Sequence, residues 1–160
     1  MPFSLRSTIG AAALLLVAVM VRAAGTDPTL ALTGAEAASG DGPVLVRLQG
    51  SLQFEDLLQF DFPAGVIVYQ GTRFARVPVT GPVVSGAAPL LAGGLAPSEL
   101  FSLLDLGAPA AAPARLVTLT PTAVSFVLPP EFDPGSATAV LYAVLEGDAF
   151  LSNPITVTLP

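Results

Sequence analysis

The chain contains no cysteine, no histidine, no lysine and no tryptophan. Without cysteine it forms no disulfide, no thiolate nucleophile and no thiolate zinc site. Without histidine there is no Ser-His-Asp triad, and without lysine there is no Schiff base. The enzyme chemistry that remains is carboxylate chemistry, as in glycosidases, or a hard metal ion held by oxygen ligands. Stability has to come from burial of apolar surface and from backbone hydrogen bonds alone.

Positive charge is also scarce. Six arginines stand against twelve acidic residues, and the net charge is −6. Residues 25–160 keep only Arg47, Arg73, Arg76 and Arg115 but all twelve acids, which gives that part a formal charge of −8. Nucleic-acid binding depends on cations that neutralise phosphates, and an anionic membrane surface repels an acidic protein. The sequence therefore argues against both kinds of partner.

The N-terminus has the three-part layout of a secretory signal. Arg6 is the positive residue, residues 9–21 are an apolar run, and the small residues Ala23 and Ala24 follow. A membrane-spanning helix needs about 20 apolar residues, and this run is shorter. Cleavage after Ala23 leaves small residues at the required positions, whereas cleavage after Ala24 puts Arg22 at one of them.

This layout divides the chain into a signal peptide, residues 1–24, and a single domain, residues 25–160. A domain of that length is large enough to bury one hydrophobic core. We expect an exported protein in the periplasm, at the cell surface or outside the cell, with no membrane insertion after signal cleavage.

The domain has the sequence pattern of short β-strands. Apolar and polar residues alternate over residues 44–49 and 51–62, and residues 66–70 form a β-branched run. Glycine, proline and aspartate separate the segments, as in antiparallel sheets. The pattern predicts an all-β antiparallel β-sandwich. Its further predicted strands are residues 29–33, 73–77, 115–119, 123–128, 137–145 and 155–159.

One segment, residues 97–107, has helical character. Pro97 and Ser98 stand at its start, Gly107 follows its end, and Glu99 in the first turn suits the helix dipole. Leucines 100, 103 and 104 share one face. We expect one short helix that plugs one end of the sandwich.

Residues 81–97 show no clear period and predict a long loop or a crossover. Their apolar part, residues 83–95, has two interpretations. It is either an exposed contact surface or a cover for the core.

Acidic residues offer the only candidate metal ligands. Glu55, Asp56 and Asp61 form the densest group, but they lack the spacing of a calcium-binding loop. Solvated strand faces and turns explain them more simply. The sequence predicts no catalytic residue and no cofactor, and leaves a metal site undetermined.

Two further acidic pairs, Glu131 with Asp133 and Glu146 with Asp148, sit beside turns. If the two turns lay at one end of the sandwich, the pairs could together bind a cation. Turn formation by itself also accounts for these residues.

Sugar binding would normally use aromatic platforms. The chain has no tryptophan, and Tyr69 and Tyr142 lie within strand patterns. Phenylalanines in such a chain usually belong to the core. A carbohydrate site is therefore an alternative and not the main expectation.

The C-terminal part resembles bacterial immunoglobulin-like domains of the IPT/TIG kind. Residues 120–129 form a threonine-phenylalanine-proline strand, and residues 152–154 form a serine-asparagine-proline turn before a valine-containing last strand. Gly50, Ser51 and Phe54 are similar to an early glycine-serine turn of that family. The resemblance implies an immunoglobulin-like fold and an extracellular binding or spacer module. It transfers no functional residue to this chain.

These observations predict a non-catalytic structural or protein-interaction module, exported, whose partners are other extracellular or envelope proteins. The alternative is a small-ligand or carbohydrate-binding module, with Ca²⁺ assisting. A hydrolase that uses paired carboxylates is a third hypothesis and needs two carboxylates in one cleft.

Overall fold

The strand pattern of the sequence becomes two antiparallel sheets and one short α-helix. The computed structural model describes residues 29–53, 63–111 and 113–160. In chain order the strands are β1 (Leu30–Ala38), β2 (Leu45–Leu52), β3 (Ala64–Gln70), β4 (Arg73–Pro78), β5 (Val84–Ala87), β6 (Ala108–Pro109), β7 (Arg115–Thr120), β8 (Ala123–Val127), β9 (Gly135–Leu145), β10 (Asp148–Leu151) and β11 (Ile155–Leu159). A 3₁₀ helix (Pro89–Gly93) and the α-helix α1 (Pro97–Leu104) lie between β5 and β6. Within these residues no helix is both long and apolar enough to cross a membrane.

The smaller sheet has four strands in the order β1-β2-β8-β7. The larger sheet runs β10-β9-β3-β4-β5-β6, and β11 also pairs with β9. Every strand pair in both sheets is antiparallel. The all-β expectation is confirmed at this level.

The two sheets share one hydrophobic core because alternate residues of each strand point inward. In β2, Val46, Leu48 and Leu52 are buried, while Arg47 and Gln49 between them are exposed. Residues of the larger sheet such as Val66, Val68, Ala139 and Leu141 complete the same core. The period of two in the sequence is thus the pattern of a sheet with one buried face.

The larger sheet buries its other face as well. Ile67, Phe74, Val140 and Tyr142 lie on the side away from the smaller sheet. They form a second apolar cluster with Leu91 of the 3₁₀ helix and with Leu100 and Leu103 of α1. The helix therefore covers the outer face of the larger sheet, and the expectation that it plugs an end was wrong. A strand whose odd- and even-numbered residues are both apolar needs other parts of the protein to cover both faces of its sheet.

The segment predicted as a loop, residues 81–97, contains the short strand β5, which lies between β4 and β6, and the 3₁₀ helix. Val83, Ala88 and Leu91 are buried in it. The interpretation as a cover for the core is confirmed for these three residues, and the interpretation as an exposed contact surface stays a prediction. Strand β5 is four residues long and contains glycine, so it has too few alternations to be visible in the sequence.

Strand β9 is the longest strand and carries two partners on one edge. Strand β11 pairs with its residues 135–139 and β10 with its residues 142–145. Between them, Leu141 donates its N–H to Ser152 Oγ at 2.9 Å and accepts the N–H of Ser152 at 3.0 Å. The side chain of Ser152 therefore supplies an acceptor where the chain steps from β10 to β11.

Most of the other strand predictions are confirmed, including residues 66–70, 73–77, 115–119, 123–128 and 155–159. The first strand is longer than expected and reaches Ala38. The predicted signal peptide, residues 1–24, lies outside the described residues. So does most of the predicted strand over residues 51–62, since residues 54–62 are not described.

Candidate functional site

The acidic pair Glu131 and Asp133 is tied to the larger sheet. Arg73 Nη1 lies 3.2 Å from Asp133 Oδ2 and also donates to the carbonyl of Glu131. Gln70 donates its Nε2 to the carbonyl of Asp133 and accepts the N–H of Asp133, both at 3.0 Å. Ser85 Oγ donates to Glu131 Oε1 at 3.1 Å. These contacts hold the β8–β9 loop against the β3–β4 hairpin and β5.

The other acidic pair is far away. Glu146 and Asp148 follow the end of β9, while Glu131 and Asp133 precede its start, and the strand has 11 residues. At about 3.3 Å per residue the two turns are roughly 35 Å apart. They do not share an end of the molecule, so the four acids do not form one cation site.

Within the described residues, no group of three or more histidine, cysteine, aspartate or glutamate side chains is placed to hold a metal ion. Glu55, Asp56 and Asp61 lie outside the described residues.

Two charged groups fix α1 in place. Glu99 Oε2 accepts the N–H of Ala96 at 3.2 Å before the first turn. Arg76 of β4 donates to the carbonyl of Leu104, the last residue of α1. A cation at this end of a helix is stabilising because the carbonyls there lack partners. Burial under the helix raises the pKa of Tyr142 to about 12, although the charge of Arg76 opposes the rise.

The residues that carried the family resemblance meet at one point of β1. Asn153 accepts the N–H of Leu32 at its Oδ1 and donates its Nδ2 to the carbonyl of Leu32, each at 2.9 Å. Gly50 is the register partner of Leu32, beside a bulge in β1. A Cβ on Gly50 would lie 1.9 Å from the carbonyl oxygen of Ala31. Asn153 therefore joins β1 to the end of the larger sheet, and Gly50 allows β1 and β2 to approach closely, so both motif residues serve a structural purpose.

The outer face of the smaller sheet is largely exposed, although Val127 in it is buried, and it is made mostly of short side chains. Register places Glu36, Arg47, Ser125 and Thr118 in one row across the four strands. The neighbouring row is Ala38, Leu45, Val127 and Arg115. We call this surface, defined by these two rows together with Gln49 and Val117, the open face.

Two of the four arginines of residues 25–160 lie on the open face. Arg73 and Arg76 bind the structural partners given above, whereas Arg47 and Arg115 have no hydrogen-bond or ion-pair partner among the described residues. Reasoning from the sequence missed this grouping. Alternation within β2 gives the outward direction of Arg47, but only the β2-β8-β7 order brings Arg115 to the same sheet.

Hollows among the described residues include one on the smaller sheet and one near the β8–β9 loop. One, of about 390 Å³, lies on the smaller sheet next to Arg47 and is lined by Thr33, Gln49, Gly50 and Thr122 together with Ala123. The other, of about 210 Å³, lies near the β8–β9 loop and is mainly apolar, with Phe132 and several prolines. Neither contains a tyrosine, because Tyr142 is buried and Tyr69 packs against the cluster under α1.

Comparison of the chain with protein-family models, curated proteins and solved structures gives no match. Fold alone does not define an activity. The function is therefore inferred from the arrangement of the chain's own residues.

Proposed function

We propose that this chain is an exported, non-catalytic module with an immunoglobulin-like β-sandwich, and that it acts by binding protein through the open face. One observation carries the proposal. Arg73, Arg76 and Asn153 join layers and loops, whereas Arg47 and Arg115 on the open face are exposed and have no such contact with any residue that the structure describes.

Two sheets that share one core support the sandwich assignment. The immunoglobulin-like part of the proposal comes from the resemblance of residues 120–129 and 152–154. The proposed export comes from the N-terminal layout of Arg6 and residues 9–21.

The shape of the open face suits a protein partner better than a small substrate. Its side chains are short at Ser125, Thr118 and Ala38, and four strands side by side give a width of about 19 Å. Enzyme sites are normally deep pockets with several convergent polar groups. Protein interfaces instead use broad surfaces with arginine and scattered apolar residues.

Export is tested by producing the full chain in a Gram-negative host, separating the cell fractions and measuring the intact mass of the protein. We expect a periplasmic or extracellular product that has lost residues 1–23 or 1–24. Full-length protein retained in the cytosol would contradict this part of the proposal.

Protein binding is tested with a photo-crosslinking amino acid at Thr118, an exposed position on the open face. The matched control places the same amino acid at Asp41, which is exposed in the β1–β2 turn. We expect protein adducts at Thr118 and few at Asp41. Absence of adducts at Thr118, or equal adducts at both positions, would sink the proposal.

The alternative is a small-ligand or carbohydrate-binding module assisted by Ca²⁺, and the polar hollow beside Arg47 is what favours it. A thermal-shift screen of the exported protein with a sugar panel and with Ca²⁺ separates the two. We expect no shift. A saturable rise in melting temperature that Arg47→Ala or Gln49→Ala removes would establish the alternative instead.

A further inference from the structure

The large apolar side chains that are exposed among the described residues lie in two parts of the molecule, with a pair in each. Leu45 and Val117, which are 42% and 46% exposed, belong to the open face. Phe101 and Leu106, which are 41% and 39% exposed, lie on α1 and just after it. Exposed apolar residues that are grouped in this way are typical of interaction surfaces.

The two pairs are accompanied by opposite charges. Arg47 and Arg115 flank the pair on the open face. Asp105 is exposed and follows Phe101 by four residues, so both lie on the same side of the helix. No basic residue of α1 itself stands in its last turn, and the cation at that end, Arg76 of β4, is partly buried and donates to the carbonyl of Leu104. We call the surface of Phe101, Asp105 and Leu106 the helix side.

These two surfaces lie on opposite sides of the molecule. The smaller sheet, the larger sheet and α1 are stacked in that order, with one apolar cluster between each neighbouring pair of layers. The open face is the outer surface of the first layer, and the helix side is the outer surface of the last.

We propose that the open face of one copy of this chain binds the helix side of the next copy. Arg115 and Arg47 would then face Asp105, and Leu45 and Val117 would face Phe101 and Leu106. Contact between two different surfaces does not close on itself as a two-fold dimer does, so it produces a ring or an open row of molecules. This inference rests on the proposed function and names its partner.

The charge of the chain favours a second copy as the occupant. The net charge is −6, so copies repel one another in most orientations. The open face carries two cations and one acid, Glu36, and attracts the acidic remainder of another copy. Exposed apolar residues on both surfaces then supply contact area.

The contact is small. Helix α1 has 8 residues and is about 12 Å long, which limits the buried surface to the range below about 1,200 Å². Interfaces of that size give weak association that depends on salt. We expect association that increases with protein concentration and declines as salt is added.

Sedimentation velocity of the exported protein at rising concentrations tests the proposal. We expect a series of species larger than a dimer. Arg115→Glu alone and Asp105→Arg alone should each raise the Kd about tenfold, because each places like charges opposite one another. The double variant carrying both changes should associate again, because it restores the pair with its signs exchanged. Asp41→Arg, which makes the same charge change in an exposed turn, is the matched control and should associate as the unaltered chain does.

A mixing experiment tests the direction of the contact. Val117→Asn damages only the open face, and Phe101→Asn damages only the helix side. Each variant alone should be monomeric, and an equimolar mixture should form a one-to-one pair that does not grow. Circular dichroism and thermal unfolding confirm that each variant is folded.

A monomer at every concentration, or a double variant that associates no better than the single ones, would overturn the inference. The adduct at Thr118 separates this failure from that of the proposed function. An adduct with a different protein ends the inference and keeps the function, whereas no protein adduct ends both.

Discussion

The two outer faces of this molecule differ sharply although the same kind of strand forms both. The outer face of the larger sheet carries Ile67, Phe74 and Tyr142 and is covered by α1. The outer face of the smaller sheet carries Arg47 and Ser125 and has no cover among the described residues. The pattern within each strand decides this difference. Continuous apolar runs call for a third layer, while alternation leaves a face in water.

The third layer also compensates for the lack of covalent cross-links. The chain has no cysteine, so it has no disulfide to limit the unfolded state. A second apolar cluster beneath α1 buries the outer face of the larger sheet, which a two-layer fold would leave exposed to water. If the covered side and the open side differ in this way, substitutions on the two sides should differ in their effect on the free energy of unfolding.

The largest expected effect compares two fully buried phenylalanines. Phe126 lies in the core between the sheets, and Phe74 lies in the cluster under α1. We expect Phe126→Ala and Phe74→Ala each to lower the free energy of unfolding by about 3–5 kcal/mol. Denaturant unfolding measures both.

Phe101→Ala is the matched control on the outside of α1. We expect it to cost less than about 1 kcal/mol because the side chain is exposed. If Phe74→Ala cost no more than Phe101→Ala, the layer of α1 would not shield the larger sheet from water.

The next effect is a pH dependence on the covered side. Burial raises the pKa of Tyr142 to about 12 from 10.0, so the unfolded chain loses this proton first as the pH rises. The contribution of Tyr142 to stability is complete below pH 10. It falls by about 1.4 kcal/mol per pH unit from pH 10 to 12. Urea unfolding at a series of alkaline pH values measures the slope.

Tyr142→Phe should remove that part of the slope while other groups keep theirs. An identical slope in both proteins would mean that water reaches the phenol and that the cover is loose.

A smaller effect concerns the junction between the two sheets. Asn153→Ala removes both hydrogen bonds to the backbone of Leu32, and we expect a loss of about 1–2 kcal/mol. Asn153→Asp keeps the acceptor but places a carboxylate opposite the carbonyl of Leu32. We therefore expect the aspartate variant to be no more stable than the alanine variant. Thermal unfolding of both variants tests this expectation, and full stability of the aspartate variant would argue against the paired geometry.

The smallest effect is expected at the β8–β9 loop. Asp133→Ala removes an ion pair with Arg73 in which both side chains are exposed. Such pairs contribute about 0–1 kcal/mol and are screened by salt. We expect a loss of less than about 0.5 kcal/mol that disappears at high salt. A larger loss would show that this loop, and not only the layers, controls stability.

Much of the fold is visible in the sequence because the longer strands contain enough alternation or enough β-branched residues. Residues 66–70 are an example. Short pieces such as β5 and β6 carry no such signal. The position of α1 along the chain is also visible, but its packing is not. That packing depends on Ile67 and Phe74 of the β3–β4 hairpin and on Val140 of β9, which is far from the hairpin in the sequence.

For the same reason, only part of the open face can be predicted from the sequence. Strand alternation directs Arg47 outward, yet its sharing of a sheet with Arg115 depends on β8 lying between β2 and β7. Predicted export and the immunoglobulin-like assignment stay predictions, because they rest on residues 1–24 and on a resemblance.

Strand β9 has a consequence for the order in which the chain can fold. It lies between β3 on one edge and β10 and β11 on the other, yet eight of the strands that the structure describes precede it in the chain. While synthesis proceeds from the N-terminus, strands β3 to β6 can pair with one another, but the edge of β3 that β9 occupies stays bare. The larger sheet closes when residues 135–145 emerge. The core between the two sheets is therefore complete only after β9 has emerged, and until then the growing chain keeps apolar residues of β3 without their strand partner.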